Sequence, residues 1–177
     1  MIKDRGGMDS RAVSGSLRDH TLYLIFYAPK VNDYHRAFFV PSSGTSGTLF
    51  HAVFSSASGT WSYERRDVSD ITTSKTLVLM YAISILGHGV DADRIEEILM
   101  RIDFDAAGRE GNKELNGYSC VLWTSDALSA LLSKSAITTD REVEQMLQEA
   151  RASAGPDDAR TMVGKDLGPL RIVNRDS

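Results

Sequence analysis

The chain has 177 residues, 42% of them hydrophobic and 25% charged, and a formal net charge of −4, which fits one globular domain with a single core and excludes a chain disordered throughout. Its 20 basic residues are scattered, so no concentrated basic face exists for a phosphate backbone and nucleic acid is not an expected partner. One cysteine fits a reducing compartment, and neither a signal-peptide core nor a run of ~20 apolar residues occurs, so a cytoplasmic protein without an integral membrane segment is expected.

Residues 1–20 carry glycine, serine and charge without periodicity and read as a flexible N-terminal arm. "TLYLIFYA" (21–28) is aromatic and branched and stops at Pro29, as a buried strand would. "HRAFFV" (35–40) reads as a second strand ending at Pro41, "SSGTSG" (42–47) as a turn, "TLFHAVF" (48–54) as a third strand, and "TWSYERR" (60–66), after "SSASG", as a fourth. "KTLVLMYAISILG" (75–87) is a buried element whose first half favours strand.

Helices follow. "DADRIEEILMRI" (91–102) keeps Ile95, Ile98, Leu99 and Ile102 on one face, with Asp93 and Glu96 in the spacing of a capping box. Residues 104–117 form a loop leading into "SCVLWTSDALSALLSK" (119–134), which Ser119 can cap and which has Val121, Leu128, Leu131 and Leu132 at helical spacing. "TDREVEQMLQEARA" (139–152) opens with a Thr139 and Glu142 box, and 153–177 reads as a C-terminal tail. Strands first and helices later give a single α+β domain over 21–152, an antiparallel sheet packed against helices.

Two of the four histidines sit on the two arms of one hairpin. Side chains alternate along a strand, so His35 shares a face with Ala37 and Phe39, and His51 with Leu49 and Val53. A connection over 41–45 sets His35 opposite His51, and a shift of two residues keeps them diagonal neighbours on one face. A shift of one separates them.

Cys120, behind a Ser119 cap, would stand at the first helical position, where the positive end of the helix favours thiolate. An adjacent imidazole could take its proton, a second could orient the first, and the free N–H groups of that turn could hold an oxyanion. Against this stands the common role of a lone cysteine as a small core residue. Three widely spaced ligands without a CxxC do not make a zinc signature, so neither metal nor cofactor is expected. His20 and His88 lie in loop-like surroundings, and Trp61 and Trp123 read as core.

"HRAFFV", a turn and "TLFHAV", followed later by "YSCVLWTSDALSALL", resemble the histidine hairpin and cysteine helix of the lecithin:retinol acyltransferase-like proteins, in the permuted NlpC-type papain-like group. The segment also resembles a group of small, largely uncharacterised fungal proteins with "WSYERRD" and "CVLW" counterparts. Departures are Ser119 in place of the usual Asn, a longer turn, and no hydrophobic C-terminal anchor.

The resemblance implies a permuted papain-like core, with Cys120 as nucleophile, His35 as general base and His51 as its orienter. Asn116, Ser119 and Trp123 stand as substrate-binding candidates. The expected activity is thiol-dependent acyl transfer (hydrolase, acyltransferase or cyclase) through a Cys120 acyl-enzyme on a small-molecule acyl substrate. The alternative is a non-catalytic ligand- or protein-binding module.

Overall fold

The computed structural model describes residues 12–28, 33–104, 119–155 and 166–174. Its strands are β1 (Val13–Ser14), β2 (Thr21–Tyr27), β3 (His35–Ser43), β4 (Ser46–Ser55), β5 (Thr60–Val68), β6 (Leu77–Ile85) and β7 (Leu170–Val173). The helices are α1 (Ala92–Leu99), α2 (Cys120–Ser133) and α3 (Val143–Ala154), with a 3-10 turn at Ile71–Thr73. All seven strands join one sheet in the order β1-β7-β6-β2-β3-β4-β5.

The sheet is mixed, not antiparallel as the sequence led us to expect. From β6 through β2, β3, β4 and β5 each neighbour is antiparallel, but β7 runs parallel to β6 and β1 parallel to β7. Both parallel strands come from short stretches with little apolar patterning; β7 pairs with the open backbone of β6, and β1 with that of β7.

Alternation divides the central strands between two apolar clusters. Leu24, Phe26, Phe38, Val40, Phe50 and Ala52 face one side, where Trp123, Ala127, Leu128 and Leu131 of α2, Ile95 and Leu99 of α1, and Met146, Leu147 and Ala150 of α3 cover them. Tyr23, Ile25, Ala37, Phe39, Leu49 and Met80 face the other side, together with Ile71 of the 3-10 turn, Leu170 and Ile172 of β7, and Leu17. The helices therefore lie on the first face, and β2 is apolar on both.

The local details follow from specific side chains. Helix α1 is capped by Asp91, which accepts from the Arg94 N–H at 2.9 Å. Asp93 and Glu96, expected as a capping pair, instead both take Arg65 of β5 and tie that strand to α1. Helix α3 starts later than its Thr139 and Glu142 pattern predicts, because Thr139 Oγ1 accepts from the Arg141 N–H at 3.2 Å and Glu142 makes no side-chain cap.

Arg141 then anchors α3 to the sheet, donating to the Ile83 carbonyl at 3.0 Å and to Glu149 at 3.0 Å. Ser119 caps α2 as expected, accepting from the Leu122 N–H at 3.3 Å. Among the described residues no helix is long and apolar enough to cross a membrane.

The papain-like core is also corrected. Here α2 packs through Trp123 on Phe38, whose side chain points away from the face that His35, Ala37 and Phe39 share.

Candidate functional site: an imidazole pair on the second face

The hairpin of β3 and β4 does not stop at Pro41. The proline pairs with Gly47, a bulge follows between Pro41 and Ser43, and the chain reverses at Gly44, whose φ of +56° suits a tight turn. Val40 consequently pairs with Thr48, two residues further along than a 41–45 connection gives. The pairing runs from there to Phe38 and Phe50, and beyond it the same register leaves His51 level with Ala37 and His35 level with Val53. The histidines become diagonal neighbours on one face, the arrangement that survives a shift of two. Their rings meet edge to face, with His35 Nε2 3.2 Å from His51 Nδ1.

Strand β5 adds a carboxylate. His51 pairs directly with Glu64, and His51 Nε2 lies 3.1 Å from Glu64 Oε2, within ion-pair range although not aligned as a hydrogen bond. The negative charge favours the proton on Nε2 of His51, leaving Nδ1 to accept from the Nε2–H of His35. The three side chains then form a directed line from imidazole to imidazole to carboxylate.

Burial lowers the His51 pKa most, and the Arg66 charge adds to that effect. Glu64 opposes both by charge and contact without cancelling them, so the ring is held below its ordinary value and stays neutral. Tyr27, paired with His35 across β2 and β3, brings its ring to 5.9 Å from the His35 ring. Burial pushes its hydroxyl pKa up, and Arg66 pulls it partly back. Arg66 is exposed and makes no ion pair among the described residues. The array is thus Tyr27, His35, His51 and Glu64 in spatial order, with a guanidinium beside it.

Cys120 stands at the first position of the Ser119-capped α2, as its sequence predicts, but in other company. Its polar neighbours are the backbone N–H and guanidinium of Arg36 and the carboxylate of Asp33. Arg36 points to the helix-bearing face, is 6% exposed, donates to Asp33 Oδ2 at 3.0 Å and lies over the Phe26 ring. Burial pushes the Cys120 thiol up, and Arg36 pulls it back only in part.

Trp123 is fully buried against Phe38 and Tyr63, with ring centroids at 5.6 and 6.4 Å. Ser119 serves as a helix cap. Asn116 lies outside the described residues. The structure brings His35 and His51 together, puts Trp123 in the apolar cluster under the helices, and sets Cys120 at the head of α2 beside Arg36 and Asp33.

A family model matches residues 22–138. The chain belongs to DUF6540, a family of unknown function. No curated protein and no solved structure matches it. The span shared with DUF6540 takes in the whole array, from Tyr27 to Arg66, as well as Cys120, and it ends before α3 and β7.

Within this DUF6540 chain the array can move or share a proton but is not shaped to chelate. His35 and His51 direct ring nitrogens at each other, and among the described residues no group of three or more His, Cys, Asp or Glu converges on a metal position. The sequence reading missed Glu64 and Tyr27. The four-residue "SASG" connection, with Ser55 paired to Thr60, was enough to set Glu64 opposite His51.

Proposed function

We propose that the chain is a ligand-binding module whose imidazole pair, backed by Glu64 and flanked by Tyr27 and Arg66, holds a small carboxylic acid. The observation that carries this reading is the His35 Nε2 to His51 Nδ1 contact at 3.2 Å with Glu64 behind it, whereas the charged groups acting on the thiol are Arg36 and Asp33. It leaves the histidines to serve a ligand of their own. Arg66 supplies the charge an anion needs, and His51, neutral when the site is empty, gains a proton when a carboxylate settles beside it. Binding is therefore tied to proton uptake and strengthens as pH falls toward the ordinary histidine range of about 6.5.

The test is a panel of small carboxylates followed through the imidazole resonances of the folded protein. At least one should shift the His51 ring saturably, and Arg66→Gln should weaken that response. A panel that leaves both rings unmoved ends the proposal.

The second reading is acyl transfer through Cys120 by hydrolysis, transfer or cyclisation. It is favoured by the thiol's position in the capped first turn of α2 beside the Arg36 N–H. Alkylation by iodoacetamide separates the two. Under the binding reading Cys120 reacts slowly below its ordinary pKa of about 8.5 and quickly only after unfolding. Rapid modification of the native protein near neutral pH would favour the thiol enzyme instead.

A further inference from the structure

Far from the imidazole pair, α1 and α2 enclose a groove of about 110 Å³ near their C-terminal ends. Ile98, Ile102 and Ala130 form its floor, and Arg94, Arg101 and Lys134 stand around it. In a chain whose net charge is −4, three cations border one small apolar depression. Helix C-termini favour nearby cations, which accounts for Arg101 and Lys134 just past α1 and α2 but not for Arg94 in the first turn of α1, nor for the apolar floor between them. Arg94 is offset by Glu97 at 2.6 Å, whereas Arg101 and Lys134 have no ion pair among the described residues.

Size narrows the occupant. The groove is well below the roughly 300–1,000 Å³ of pockets that enclose a drug-sized molecule. It is also below the ~150 Å³ of a cavity that takes benzene. One aliphatic side chain fills it. The rim then asks for carboxylates on either side of that side chain. A nucleic acid would need a broader basic face and has no use for an apolar floor. A membrane surface is met by apolar residues that project outward, whereas these three line a depression.

The geometry points to this groove as the docking site for an acidic segment of a partner protein that inserts one aliphatic anchor. The anchor rests on Ile98, Ile102 and Ala130, and its flanking carboxylates meet Arg101 and Lys134. The surface is independent of the carboxylate site on the second face.

A short fluorescein-labelled peptide of glutamates around one central leucine tests it by anisotropy, with the full chain as receptor. Saturable binding is expected, and it should weaken by about tenfold or more in Arg101→Glu/Lys134→Glu, a loss of roughly one decade in Kd. The same loss should follow when serine replaces the peptide leucine. Far-UV circular dichroism checks the fold of the double variant, and Lys134→Gln provides a milder change that should give a smaller loss in the same direction.

The proposal is overturned if the wild-type chain does not bind, or if the leucine-free peptide binds as well as its parent, which would mean charge attraction alone. Equal binding by the double variant overturns it too. So does a preference for phosphatidylserine vesicles that the leucine peptide cannot displace, because the groove would then be reading a membrane.

Discussion

The two faces of the sheet use the same strands for different ends. On the first, α1, α2 and α3 close over Phe26, Phe38 and Phe50, and even polar atoms are sealed in: Trp123 Nε1 and the Tyr63 hydroxyl are buried without hydrogen-bond partners among the described residues. On the second, the apolar packing of Ile25, Ala37, Phe39 and Leu49 gives way within one residue pair to His35, His51 and Glu64. The first face converts burial into stability, and the thiol in its company is raised in pKa accordingly. The second keeps ionisable groups linked to one another where part of Glu64, 45% exposed, still meets solvent. Chemistry follows the face rather than the residue type.

The largest test of this contrast is Trp123→Ala. It removes the ring that docks α2 on Phe38 and Tyr63 and should cost about 3–5 kcal/mol in denaturant unfolding, the range for deleting a large buried aromatic. In the fraction that remains folded, the resonances of His35 and His51 should hardly move, since they lie across the sheet. A coupled shift would show that the faces are not separate.

Ser119→Ala comes next. Loss of the cap on α2 should cost about 1 kcal/mol, again without changing the titration of His51. Smaller in energy, and sharper in what it reports, is that titration itself. With its folded pKa below its unfolded value, a histidine leaves stability untouched above the unfolded pKa, and stability falls progressively as pH drops from there through the folded pKa. Acidification from about pH 7.5 to 5.5 should therefore lower stability in the wild-type chain, and less so in His51→Gln.

Glu64→Gln should depress the His51 pKa further, and Arg66→Gln should raise it, because the two charges act on the ring in opposite directions. Identical titrations in both variants would mean that the array is not electrostatically linked.

How much of this was legible follows from what each signal can encode. Alternation in "HRAFFV" and "TLFHAV" puts both imidazoles on one face provided that the hairpin register is shifted by an even number of residues, as it is. The exact register does not follow, because Pro41 lacks an N–H yet stays in the strand, where the bulge beside it absorbs the defect. Ser119 followed by the apolar run of α2 is a readable helix start. Which side of the sheet that helix takes is not readable, since "TLYLIFY" and the hairpin are apolar on both faces and either could receive Trp123.

The parallel strands were hidden for a different reason. Val13–Ser14 and Leu170–Val173 are too short to carry a period, and they are strands because β6 offers a partner to β7 and β7 in turn to β1.

Strand β7 also has a practical bearing on expressing the protein. It covers one flank of β6, holding Leu79, Met80 and Tyr81 in register, while Arg171 donates to the Ala154 carbonyl at 2.7 Å and so fastens α3 as well. A fragment trimmed to the family span of 22–138 would lose this clasp. It would bare the backbone of a nine-residue apolar strand, the kind of open template that recruits copies of itself into aggregates.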